Sequence, residues 1–211
     1  MTTTTRRERE KLDTRQRILD AARELFASEG YDAVTMRKIA DRIEYTPTAI
    51  YFHFEDKDAL IRELCAADFL ALAQAFQPIA LVPDPIERIK RTGSAYIEFA
   101  LAHPNHYRLM FMTPRPMGEE DLQQYGVEKG NPAQDAYAFL RQAVVEALAS
   151  ERFRAGLDDP DLICQTLWAG VHGVAALHIA LAGDPWVEWR SPERRTAMML
   201  EALFSGLLRK D

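Results

Sequence analysis

The sequence is poor in the features that mark secreted, metal-bound or membrane-spanning chains. It has only two cysteines, Cys65 and Cys164, too far apart for a metal-ligand spacing and too few for a disulfide framework; they read as reduced core thiols. No apolar core of a signal peptide follows Arg6, Arg7 and Arg9. No stretch reaches the roughly 18 consecutive apolar residues of a membrane span. Neither a metal, a cofactor nor a membrane is expected, and the expected location is cytoplasmic. The five histidines stand without a paired nucleophile, and His172 and His178 are six residues apart, a spacing that does not share a helix face. Nucleophile elbow, HExxH and P-loop patterns are absent, so the chain does not read as an enzyme.

What is present is folded and acidic. Hydrophobic residues make up 47% of the 211 and charged residues 27%, with a net charge of −6, which argues against coating nucleic acid by bulk attraction. The acid is unevenly placed. Residues 1–47 are nearly balanced, and the excess lies beyond them, as a nucleic-acid-binding head on an acidic body would have it.

Helical periodicity dominates and strand alternation is missing, so the expected class is all-α with about nine helices. Ile18, Ala21, Ala22 and Leu25 place a helix over about 13–28, stopped by Gly30. A short helix starts after Thr35 and presents Ile39, Ala40 and Ile43 on one face. Thr46 and Pro47 read as the N-cap and first residue of another, running to Phe52, and Asp56 caps a longer one bearing Leu60, Ile61, Leu64 and Cys65. Pro85 opens a helix, and Pro104 to Phe111 form a short one. Residues 112–131 are rich in proline and glycine and read as a long irregular loop. Helices over about 132–150, 160–182 and 192–209 complete the body.

The informative stretch is YDAVTMRKIADRIEYTPTAIYFHFEDKDA, from Tyr31 to Ala59. Two short helices separated by three or four residues must cross steeply, a geometry that lets the second project into a DNA major groove. The third helix has little buried face to spare, yet carries Thr48, Tyr51, Phe52 and His53. The stretch resembles the heads of TetR/AcrR-family regulators, which read approximately T-V-R-D-I-A-x-x-A-G-V-S-x-G-x-L-Y-x-H-F-x-S-K-x-x-L. Thr35, Arg37, Ile39, Ala40, Thr46, Tyr51, His53, Phe54, Lys57 and Leu60 match in order, and Phe26, Gly30 and Tyr31 match upstream. Trp168, His172 and Gly173 are similar to the W-x-x-x-H-G pattern of one subgroup. Glu44 and Tyr45 stand where the family has Gly and Val, so a non-glycine residue is expected to adopt a left-handed backbone.

The resemblance implies a DNA-binding domain over 1–55 and a ligand-binding and dimerisation domain over 56–211. It places Arg37, Thr46, Thr48, Tyr51, Phe52, His53 and Lys57 at double-stranded DNA: hydroxyls, imidazole and ammonium to phosphates, Thr48 or Phe52 to base edges. Arg37 reads as a phosphate or base contact or as a solvated charge, Phe54 reads better as core, and Arg6, Arg7 and Arg9 read as a disordered, solubilising tail by default, with an arm along a groove as the alternative. In the body, Phe69, Phe76, Tyr96, Phe99, Phe111, Tyr137, Trp168 and His172 are ligand-cavity candidates, each also readable as core. The last two helices are expected to dimerise, with Gly170, Gly173 and Ala175 allowing close approach, so that two heads meet a palindromic operator. The implied function is a transcriptional regulator, by the family's commoner habit a repressor, released by a small, partly apolar effector. An effector-free DNA-binding module and a small helical enzyme are the alternatives.

Overall fold

The computed structural model describes residues 5–113 and 123–209, so most of the expected loop lies outside the described residues. Nine α-helices occur among them: α1 (Arg6–Glu29), α2 (Met36–Arg42), α3 (Pro47–Tyr51), α4 (Lys57–Phe76), α5 (Pro85–Ala102), α6 (Pro104–Phe111), α7 (Ala136–Ala149), α8 (Pro160–Leu181) and α9 (Pro192–Leu207). A 3-10 turn over Gln77–Leu81 follows α4. The described residues include no strand, only an isolated bridge between Phe153 and Leu208.

The largest departure from expectation is at the start. The helix begins at Arg6, not Asp13, because Thr5 and Glu8 form a capping box: the Glu8 amide donates to the Thr5 hydroxyl at 3.3 Å and the Glu8 carboxylate accepts from the Thr5 amide at 2.7 Å. The arginines read as a tail therefore stand on a helix. Likewise α7 starts at Ala136, after the expected 132, because the Asp135 carboxylate caps the Tyr137 and Ala138 amides. Gly30 does end α1, in a positive-φ conformation at 81°.

Two compact units divide the chain. One holds residues 5–68 with 105–113 and 123–126; the other holds 69–104 with 127–209. In the first, Ile18, Ala22 and Phe26 of α1, Ile39 and Ala40 of α2, Ile50 of α3, Leu60, Ile61 and Leu64 of α4 and Tyr107, Leu109 and Met110 of α6 are buried. At about 25 cal/mol per Å² of apolar surface, burial of these side chains is the main stabilising term. Charge joins the helices as well. Asp68, 2% exposed, accepts from Arg23 of α1 at 2.7 Å and lies 2.9 Å from the Nδ1 of His106 on α6.

In the second unit α5 packs against α7, α8 and α9. Gly170 lets α9 pack directly on α8: a Cβ there would lie 2.5 Å from the sulfur of Met199. Gly170 and the buried Ala175 are thus spent on packing within one chain. So are Leu200 and Phe204 of α9. Cys65 and Cys164 are both buried thiols, and burial followed by the Asp161 carboxylate pushes Cys164 up to about 12, which keeps it protonated. Lys57–Leu81 and Pro160–Leu181 are long and apolar enough, by length and composition, to cross a membrane, although neither is an unbroken apolar run. In the first, the buried pair of Asp68 with Arg23 ties the segment to α1.

Candidate nucleic-acid interface and ligand-binding body

The helix-turn-helix is built from local signals. Thr35 caps α2 by accepting from the Lys38 amide at 3.2 Å, and Ile39 and Ala40 anchor it with no exposed surface. The chain then turns through Glu44 at φ 60°, the left-handed conformation expected where the family pattern has glycine, at a cost of about 1–2 kcal/mol for a side-chain-bearing residue. Amides of Ile43, Glu44 and Tyr45 close the turn onto the Ala40 and Asp41 carbonyls. Thr46 caps α3 by accepting from the Ala49 amide at 3.3 Å, Pro47 occupies the first turn and Ile50 is fully buried. With one anchor and five residues, α3 leaves Thr48, Tyr51 and Phe52 outside. Thr48 is exposed, Tyr51 is 55% exposed and Phe52 73%.

The remaining head residues divide by what already holds them. Phe54 is buried, its ring stacked under the Arg15 guanidinium at 4.4 Å, while Arg15 also forms a bidentate ion pair with Glu63. His53 is half-buried with its ring edge-on to Phe52, and its Nδ1 is buried without a hydrogen-bond partner among the described residues. Lys57 donates to the Tyr31 carbonyl at 2.8 Å and lies 3.9 Å above the Tyr31 ring; an ammonium has three donors, so two remain for an anion. Lys38 and Arg42 are paired with Glu29 and Glu24 of α1. Arg37 is more loosely held, 3.9 Å from Asp41 and 83% exposed. The sequence reading missed Lys11, whose ammonium lies 5.3 Å from the Phe52 ring centroid, and Arg17, stacked on Tyr45 at 5.2 Å.

Four of the eight cavity candidates come together in the second unit. The Tyr96 hydroxyl accepts from the Trp168 indole at 3.3 Å and is 3.0 Å from His172 Nδ1. The Trp168 ring lies 6.3 Å from Tyr137 and 6.2 Å from His172. Tyr137 donates to Asp161 at 2.8 Å, and burial, then that carboxylate, pushes its hydroxyl up to about 12. The other four lie elsewhere: Phe76 is buried against Phe139 at 5.7 Å, Phe99 tilts on His103 at 5.1 Å, Phe69 is half-buried on α4, and Phe111 sits 5.0 Å from Tyr107 in the head's unit. A groove of 640 Å³ between α5 and α9, floored by Leu200 and Phe204, includes none of the eight. No group of three metal-ligating side chains occurs among the described residues.

Burial holds His172 below the ordinary imidazole value, and burial with the charges of Lys11 and Arg15 does so for His53. The unfolded chain therefore binds protons first as pH falls, and the stability these neutral rings contribute, fully present above about 6.5, is lost below it. Arg152, Arg88 and Arg141 hold Asp84, Glu146 and Asp161 low, a contribution lost in turn as pH falls below about 4. The melting temperature should thus fall in two stages between pH 7 and pH 3. Replacing both histidines by glutamine should flatten the first stage in a calorimetric series; an unchanged first stage would refute the assignment.

Comparison with known proteins places this architecture. Residues 18–64 match the family described as bacterial regulatory proteins, tetR family, and residues 89–207 match the tetracyclin repressor-like C-terminal domain. Over 54 residues the chain is 46% identical to an HTH-type transcriptional repressor of Mycobacterium tuberculosis, covering 26% of this chain and 29% of that one. It is 40% identical over 67 residues to the HTH-type transcriptional regulator UidR of Escherichia coli, covering 31% and 34%. The chain thus spans about a third of the length of these curated relatives. In fold, a tetR-family regulatory protein from Rhodococcus RHA1 superposes with a TM-score of 0.72 at 18% identity, over 93% of this chain and 98% of that one.

Proposed function

This chain belongs to the tetR family of bacterial regulatory proteins, and on that premise we propose that it is a cytoplasmic, non-enzymatic, homodimeric transcriptional repressor, released from a palindromic operator by a small, partly apolar effector. The observation that carries the reading is α3, capped by Thr46, anchored by Ile50 and presenting Thr48, Tyr51 and Phe52 outward. A helix so short gains little stability from exposing two aromatics; opposite a major groove they have an occupant. Thr46, Tyr51, His53 and Lys57 serve phosphates, Arg37 a phosphate or base, and Thr48 or Phe52 base edges. The DNA-binding domain is 1–55 and the sensing and dimerising domain 56–211.

The dimer forms through α8 and α9. Leu162, Leu177, Leu181 and Met198 are 58%, 46%, 40% and 68% exposed on these helices, and the Cβ position of Gly173 opens on empty space, which suits a second copy. The effector enters the body, where the cluster of Tyr96, Tyr137, Trp168 and His172 offers aromatic faces beside hydrogen-bonding groups. Effector and operator are then reciprocally coupled.

The test is selection of a duplex from random sequence by the full-length protein. A palindrome should emerge, and Tyr51→Ala should weaken its binding by about 1.5–3 kcal/mol per head, roughly tenfold to a hundredfold, with an unchanged melting temperature. Enrichment of no sequence, or full affinity in Tyr51→Ala, would count against the reading. A compound that raises the melting temperature yet leaves operator affinity unchanged would remove the sensing half.

A further inference from the structure

The first turns of α1 carry a face whose chemistry changes along its length. At 3.6 residues per turn Arg7, Lys11 and Arg15 lie on the same stripe as Ile18 and Ala22, and Ile18 and Ala22 are completely buried. Towards the N-terminus that inward face runs on past the core. Were protein to cover it there, it would stay apolar; instead it turns cationic, and Arg7 and Lys11 are both exposed. The extension is ordered by its own capping box. Its acids are engaged locally, Glu8 in the cap and Glu10 with Arg6 at 2.8 Å, and neither Arg7 nor Lys11 has a carboxylate partner among the described residues. The stripe also points at the reading surface: the Lys11 ammonium stands 5.3 Å from the ring centroid of Phe52, the exposed residue that ends α3. The field of Lys11 reaches His53 next to it as well.

We propose that Arg7 and Lys11 form a second DNA-contacting element, a cationic helical arm that holds backbone phosphates flanking the segment read by α3. The proposal rests on the DNA-binding reading above. Arg15, committed to Glu63 and to the Phe54 ring, fixes the base of the arm. A guanidinium and an ammonium one helical turn apart, about 6 Å along the axis, track a phosphate backbone without reading its sequence. The arm therefore adds affinity evenly across sequences and leaves operator choice to α3.

Salt dependence measures this directly, because each phosphate contact contributes about 0.9 to the slope of log affinity against log salt. Fluorescence anisotropy of the full-length protein on the duplex it selects from random sequence should give a slope shallower by about 2 per bound head, hence about 4 per dimer, in Arg7→Gln/Lys11→Gln. Affinity for a scrambled duplex should fall by a similar factor. Arg7→Lys/Lys11→Arg should keep the wild-type slope. Equal slopes in wild type and the glutamine variant would overturn the arm while leaving α3 as the reader. A wild-type protein that selects no duplex would instead overturn the DNA-binding reading, and the arm with it.

Discussion

Replacing Asp68 by alanine should lower the stability of the head by about 3–5 kcal/mol, the usual consequence of stranding one partner of a buried ion pair. For a chain of this length that is a fall of roughly 6–20 °C in melting temperature. The carboxylate is 2% exposed and Arg23 only 15% exposed, so water cannot take the place of the lost charge. Asp20, 3.6 Å from Arg23 but 58% exposed, is a weak substitute. His106 loses its contact at 2.9 Å with the same oxygen. The pair is a strict requirement only once its charges exist: Asp68 Oδ2 and Arg23 Nε lack hydrogen-bond partners among the described residues, so desolvation is incompletely offset. Arg23→Met/Asp68→Leu should accordingly recover most of the stability that Asp68→Ala removes. A double variant no more stable than the single one would show that packing at this position, not the stranded arginine, carries the effect.

This cluster also shows where sequence reasoning runs out. Asp68 is the one charged residue between Glu63 and Asp84, and a lone acid in so apolar a stretch is a signal, because burying it demands a partner. The signal says that a partner exists. It does not say that the partners are Arg23 and His106, since no local rule brings α1, α4 and α6 together. The helix-turn-helix was legible for the opposite reason: Thr35, Thr46 and Asp56 each accept from the amide three residues on, Pro47 presets the first turn of α3, and Ile39, Ala40 and Ile50 declare their face by spacing. The left-handed Glu44 was expected only from the resemblance, whose pattern has glycine at that place. The start of α1 could have been read the same way from Thr5 and Glu8, but apolar periodicity begins only at Ile18, and a polar helical extension leaves no such trace.

The body was legible as helices and less so as a site. Tyr96, Tyr137, Trp168 and His172 converge because α5, α7 and α8 pack together, whereas Phe76 and Phe99 met partners, Phe139 and His103, that periodicity did not single out. An aromatic on an amphipathic helix looks the same in sequence whether it faces a neighbour or a ligand. The small residues of α8 posed the same ambiguity: Gly170 serves the chain's own α9, and spacing cannot tell an internal contact from an intermolecular one.

Phe52 and Phe54, two residues apart, should respond to alanine in opposite ways. Phe54 is 4% exposed, and its ring is the surface on which the Arg15 guanidinium lies. Truncation opens a cavity and should cost about 3–5 kcal/mol of stability; whatever affinity for DNA it loses should track the unfolded fraction. Phe52 is 73% exposed and touches the protein chiefly through Lys11 and His53. Its truncation should leave stability within about 0.5 kcal/mol. If its ring meets a thymine methyl or a base edge, the same truncation should cost about 1–3 kcal/mol of discrimination at one base-pair position. Thermal melts and competition binding with single-position substitutions in the selected duplex separate the two. A Phe52→Ala protein that melts early would return this aromatic to the core, and one that keeps both its stability and its full sequence preference would leave Thr48 as the side chain that reads a base.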